Sequence, residues 1–132
     1  MNAGTKTAQV AIVTGGGGGI GRAAAERFLS EGWSVVVGDL NEERGATLLS
    51  EIDAGDRFAF LPVDVAEETD VAALVELAMN RYGRLDSMVN NAGIGGAFGP
   101  ITEQEVDEWD ATFAINMRSV FLGTKHAARA MI

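Results

Sequence analysis

The chain has 132 residues, room for one domain whose core needs no disulfide or metal staple. It contains no cysteine, which excludes a disulfide framework, a cysteine-ligated zinc site and a cysteine nucleophile. Its 47% apolar and 22% charged residues suit a soluble globular protein rather than a disordered one. Ten Lys and Arg against 19 Asp and Glu give a net charge of −9, which argues against nucleic acid or an anionic membrane as partner, because both require clustered cations.

The polar start, residues 1–7, carries no targeting signal, and no apolar run reaches membrane-spanning length, so a cytoplasmic location is expected. Residues 10–13 (Val-Ala-Ile-Val) predict a strand buried on both faces. A cluster of five glycines, Gly15 to Gly19, follows it. The pattern then turns helical over 19–31, with Ile20, Ala24 and Phe28 four apart, and Gly32 ends it. Residues 34–39 form a second β-branched strand. Residues 42–52 read as a helix with Gly45, Leu48, Leu49 and Ile52 on one stripe, and 58–63 as a third strand. The helix over 67–82 carries Val71, Leu74, Val75, Ala78 and Tyr82 at helical spacing and closes at Gly83. A fourth strand is expected over 85–90, then a glycine-rich loop over 93–100. Helical pattern resumes near Glu103 and, after a break, runs from about Asn116 to the end. Alternating strands and helices imply a Rossmann-like, doubly wound parallel sheet within one dinucleotide-binding domain, 1–132.

The glycine cluster lies between the first strand and the first helix. Glycines there permit a tight turn and let a phosphate approach bare backbone, while the helix N-terminus offers N–H groups and a positive dipole end. Asp39, at the end of the next strand, stands 18 residues past Gly21, near the ~20-residue spacing of a ribose-binding acid. A carboxylate there accepts from ribose hydroxyls and repels a 2′-phosphate, and neither Gly18 nor Leu40 supplies a cation. NAD is therefore expected over NADP. The same stretch also reads G-x-x-x-x-G over Gly16–Gly21, but Arg22-Ala23 replaces the Lys and Ser/Thr that a nucleoside-triphosphate loop needs.

Taken together, Thr14-Gly15-x-x-x-Gly19-Ile20-Gly21, Asp39, Asp64-Val65 and Asn90-Asn91-Ala92-Gly93 resemble the N-terminal half of a short-chain dehydrogenase/reductase. The resemblance implies an NAD-dependent oxidoreductase that transfers hydride between nicotinamide and an alcohol or carbonyl substrate. It implies that Gly15, Gly18, Gly19, Ile20 and Gly21 line the pyrophosphate, and that Asp39 and Leu40 meet the adenosine ribose. Asp64 and Val65 would flank the adenine. Asn91, Ala92 and Gly93 would pass beneath the nicotinamide-side ribose, and Asn116 would hold a water of the proton relay. It also implies a homo-oligomer, a dimer or tetramer, assembled through the last helix. Plainer roles stand beside these: a helix cap for Asp64 or Asn116, and structural amides for Asn90 and Asn91.

The family's chemistry needs a tyrosine, a lysine four residues later and a serine. The single tyrosine, Tyr82, is followed four residues on by Asp86, and Lys125 is preceded four residues back by Phe121. Tyr82 reads as a packing residue and His126, the only histidine, as a surface or interface residue. Carboxylates at the helix starts, such as Glu42, Glu43, Glu67 and Glu68, read as capping and dipole placement. No metal site is expected. The chain is expected to be an incomplete unit, truncated after the fourth strand and the helices that follow, and inactive alone. The alternative is a non-catalytic NAD-binding remnant or a scaffolding module.

Overall fold

The computed structural model describes residues 7–132; residues 1–6 of the polar start lie outside them. Strand β1 (Val10–Thr14) leads through the glycine turn into helix α1 (Gly19–Ser30). Then come β2 (Ser34–Asp39), α2 (Glu42–Glu51), β3 (Phe58–Pro62), α3 (Glu68–Tyr82) and β4 (Ser87–Val89). The chain ends in α4 (Val106–Phe113) and α5 (Ser119–Met131). Single 3₁₀ turns occupy Gly55–Arg57 and Ile101–Glu103.

The four strands form one parallel sheet in the order β3-β2-β1-β4, with Val10 opposite Ser34, Val35 opposite Phe58 and Ile12 opposite Met88. Parallel strands buried on both faces explain the unbroken apolar runs of β1 and β2. Successive side chains alternate between two cores. Val10, Ile12 and Val36 pack with Leu74, Val75 and Ala78 of α3 and Ala127 of α5. Val13, Val35 and Val37 pack with Ala25 and Leu29 of α1 and Leu48 of α2. This is the Rossmann-like α/β arrangement expected from the alternating pattern.

Apart from one-residue shifts at element ends, four features differ from the sequence reading. β4 is three residues long instead of six. Beyond Val89 the chain is tied off by the Thr14 hydroxyl rather than by the strand ladder. Leu49 is exposed, because the buried face of α2 is carried by Gly45 and Leu48. The Phe60 ring lies directly on Gly45 and leaves no room for a side chain there. The helix expected near Glu103 begins at Val106, with Glu103 in a 3₁₀ turn. The expected break before Asn116 is instead one π-helical turn, Ala114–Arg118, that joins α4 to α5 without interruption. Such turns insert one residue into a helix and re-aim its side chains. The Ser119 hydroxyl donates to the Ile115 carbonyl within it.

Candidate functional site

The C-terminal ends of the strands carry a cleft of about 580 Å³, within the ~300–1,000 Å³ common for small-molecule sites. Its walls include Gly15, Gly18, Gly19 and Ile20 from the glycine turn, Asp39 and Leu40 after β2, Val65 after β3, and Asn91, Ala92 and Gly93 after β4. Ten of the thirteen residues singled out in the sequence thus converge on one opening, at the place where open α/β sheets bind ligands.

The turn is shaped by close backbone approach. Gly15 has φ +64°, and a Cβ on it would stand 2.8 Å from the Ala92 Cα. Thr14 locks the two segments together. Its hydroxyl donates to the Val89 carbonyl at 3.3 Å and accepts from the N–H groups of Asn91 (3.0 Å) and Ala92 (3.1 Å). The Asn91 amide donates to the Thr14 and Gly15 carbonyls at 3.1 and 3.2 Å, which realises the structural-amide reading. Asn90 is the amide whose side chain packs against Gly123 of α5.

Helix α1 opens without a side-chain cap and without an acidic residue in its first turn, whereas α2, α3 and α4 all begin with acids. Its leading N–H groups and positive dipole end therefore face the cleft unmatched, an arrangement that receives an anion. A Cβ on Gly19 would meet nothing within 4 Å, so the space above the turn is open. Beside it Ile20 and Leu40 hold 82% and 70% of their surface in solvent. Apolar side chains so exposed on a cleft rim provide the walls for a planar or apolar ligand group. These features fit a dinucleotide.

The Asp39 carboxylate accepts from Gly17 N–H at 2.9 Å and Asn41 N–H at 3.0 Å, so it shapes the turn as well as facing the cleft. The other three residues singled out lie outside the cleft wall. Gly21 is buried beneath the turn, with Gly16 Cα and Asn91 Nδ2 within 2.8 Å of where its Cβ would be, so it supports the glycine turn and does not line the cleft. Asp64 lies in an adjoining depression with Leu40, Val63 and Asp70. It accepts from Ala66 N–H at 3.0 Å and does not cap α3, whose first flanking residue is Glu67. Asn116 is neither a cap nor a lining residue. From the π-helical turn, its amide donates to the Ile94 carbonyl (3.0 Å) and accepts from Ile94 N–H (2.9 Å), pinning the loop after Gly93.

Sequence reasoning missed Arg44. It lies in the first turn of α2 and forms part of the cleft wall, its Nη1 3.9 Å from where a Gly18 Cβ would be. Spacing along α2 places it on the solvent face; only the bare glycines opposite bring it to the site. His126, read as a surface or interface residue, lies between two helices of the chain itself. Its Nε2 is buried at the α3–α5 contact, 3.6 Å from Glu68. Glu68 in turn accepts from Lys125 at 2.9 Å, and that bond holds its carboxyl below the usual range. Tyr82 packs as expected, donating to the Asp56 carbonyl at 2.7 Å, and partial burial raises its phenol. No group of His, Asp and Glu among the described residues is arranged to hold a metal, and no described helix is long and apolar enough to cross a membrane.

The short chain dehydrogenase family matches residues 9–132. The chain is 40% identical over 125 residues to short chain aldehyde dehydrogenase 1 of Euphorbia lathyris, covering 94% of this chain and 43% of that protein. It is 41% identical over 122 residues to 3beta-hydroxysteroid dehydrogenase 2 of Eggerthella lenta, covering 92% of this chain and 47% of that one. A short chain dehydrogenase/reductase from Burkholderia phymatum, solved in complex with NAD, superposes with a TM-score of 0.86 at 33% identity over 95% of this chain and 44% of its own. The chain belongs to the short-chain dehydrogenase family, whose members are oxidoreductases. It spans a little under half the length of these relatives.

Proposed function

We propose that the chain, as one domain over 1–132, provides the NAD site of a short-chain dehydrogenase/reductase acting on a small-molecule alcohol or carbonyl. The observation that carries this reading is the single cleft in which an uncapped, acid-free helix start, bare glycines and Asp39 meet. Gly15, Gly18, Gly19 and Ile20 cradle the pyrophosphate, with the α1 N–H groups as donors. Asp39 would accept from the adenosine ribose with the oxygen lone pairs its two backbone bonds leave over, Leu40 would meet the same ribose, and Asp64 and Val65 would flank the adenine. Ala92 and Gly93 form the floor under the second ribose, held by Asn91 and Thr14. Bound there, the dinucleotide supplies hydride exchange with the substrate carbon.

Asn116 positions the Ile94 peptide, and a relay role for it rests on the family resemblance. Residues 1–132 contain no Tyr-x-x-x-Lys. Binding and orienting the cofactor are therefore the tasks of these residues, and turnover by them alone is expected to be negligible. The setting is cytoplasmic. The assembly is a homo-oligomer, in keeping with the exposed Trp109, Phe113, Met117 and Phe121 along α4 and α5.

Isothermal titration of the folded chain with NAD⁺ tests the reading. One site per chain is expected, weakened at least tenfold by Asp39→Ala. Absence of binding by folded protein refutes it, and NAD-dependent turnover by the homogeneous 132-residue chain refutes the expected inactivity.

A further inference from the structure

The end of the cleft formed by Gly93 and Ile94 belongs to a segment with little stiffness of its own. Four of the seven residues over 93–99 are glycine, and glycine gives up more conformational freedom than any other residue when it is ordered. Side chains from the elements that follow hold this loop. Asn116 takes both backbone groups of Ile94, at 2.9 and 3.0 Å. Four residues before it, on α4, the Thr112 hydroxyl accepts from Ala97 N–H at 3.1 Å. Gln104 donates to the Gly99 carbonyl at 2.9 Å. The glycine turn has other anchors, in Thr14, Asn91 and Asp39. The two ends of the cleft are therefore held by different parts of the fold.

Thr112 does more than add a bond. A hydroxyl has one proton and two lone pairs. The proton is committed to the Glu108 carbonyl at 2.7 Å, which leaves a lone pair for Ala97 N–H. The loop also passes Thr112 closely at Gly96 (φ +80°), where a Cβ would stand 2.5 Å from Cγ2 and 2.8 Å from Oγ1. Thr112 itself lies outside the cleft wall, in a shallow depression beside Trp109 and Phe113. Resting on the dinucleotide reading above, we propose that Thr112 is a positioning residue for the nicotinamide half of the ligand. Its hydroxyl acts through Ala97 on the Ile94 side of the cleft and leaves the adenosine half, held by the glycine turn, unaffected.

Titration calorimetry with ADP and with NAD⁺ separates the two halves, because ADP carries the adenosine and its phosphates and lacks the rest. The proteins compared are the unaltered chain, Thr112→Val, Thr112→Ser and Gly96→Ala, each shown to be folded by circular dichroism. Thr112→Val is expected to weaken NAD⁺ binding about fivefold, the scale of one lost hydrogen bond, and to change ADP binding by about twofold or less. Thr112→Ser keeps the acceptor and is expected to bind NAD⁺ as the unaltered chain does. Gly96→Ala pushes the loop away from the same hydroxyl and is expected to repeat the Thr112→Val pattern, which decides the matter if Thr112→Val does not fold. Equal losses for ADP and NAD⁺, no loss for NAD⁺, or a serine variant as weak as the valine one overturns the inference. So does an unaltered chain that binds NAD⁺ no more tightly than ADP, although the cofactor reading then stands. A folded, unaltered chain that binds neither ligand overturns both.

Discussion

Gly21→Ala separates the packing role of the glycine turn from its binding role. A methyl group at position 21 would stand 2.6 Å from Asn91 Nδ2, 2.8 Å from Gly16 Cα and nearer still to the Gly15 carbonyl oxygen. Carbon atoms rest about 3.5–4.0 Å apart, and two of these three neighbours are backbone. Overpacking of this kind costs ~1–3 kcal/mol. Displacing Asn91 from the Gly15 carbonyl adds about 1 kcal/mol. The backbone-entropy gain of alanine over glycine in a helix returns ~0.5–1 kcal/mol. A net loss of about 2 kcal/mol is expected, a large share of the ~5–15 kcal/mol by which domains are stable. Gly18→Ala is the matched control. Gly18 has an extended backbone, and its nearest neighbour would be Arg44 Nη1 at 3.9 Å. Its stability should change by about 0.5 kcal/mol or less, the scale of a weakened helix start. Its methyl group, however, enters the cleft and should lower NAD⁺ affinity. Urea unfolding followed by tryptophan fluorescence reads the first effect and calorimetry the second. The reasoning fails if Gly21→Ala is as stable as the unaltered chain, or if Gly18→Ala costs as much.

Thr14→Val keeps the shape of a 4%-exposed side chain but removes the hydroxyl that serves Val89, Asn91 and Ala92. It should cost ~1–3 kcal/mol in urea unfolding, because buried N–H groups lose their acceptor. Asp86 carries a carboxyl held below its ordinary value, first by the Arg84 hydrogen bond and then by Val10 N–H. A depressed carboxylate stabilises the fold above its unfolded pKa of ~4, and the stabilisation is lost as pH falls through the lower, folded value. Asp86→Asn should therefore flatten the acid limb of a stability–pH profile; an unchanged limb counts against it. Tyr82, the one tyrosine, should titrate above the ordinary phenol range in an absorbance experiment, because burial disfavours the phenolate. An ordinary or lowered value would mean that its ring is not packed as described.

Much of the fold was legible because it rests on local periodicity. The unbroken apolar runs of β1 and β2 announce strands buried on both faces, and the stripe from Val71 to Ala78 marks the buried side of α3. Asp39 and the glycine turn were legible because their roles follow from spacing along a strand–turn–helix unit. The errors fall where long-range contacts decide. β4 stops early because Thr14, 75 residues away, accepts the N–H groups that a longer ladder would have used. The π-helical turn around Asn116 carries no glycine, proline or cap, and its reason lies in the Ile94 peptide that Asn116 binds across 22 residues. Gly21 carries the sequence signature of a phosphate contact, yet its burial against Gly15 and Asn91 makes it a packing residue. Arg44 and Glu68 were hidden for the same reason. A helix-surface arginine and a carboxylate 58 positions from His126 acquire partners only once α2 closes on the glycine turn and α5 on α3.

The most direct test of the central claim is amide chemical-shift mapping of the folded, ¹⁵N-labelled 132-residue chain titrated with NAD⁺. The account expects the largest shifts at Gly15 to Gly21, at Asp39 and Leu40, and at Ala92 to Ile94, with the 3₁₀ turn at Gly55–Arg57 unaffected. Shifts that are absent at saturating NAD⁺, or that cluster away from the glycine turn, would contradict it.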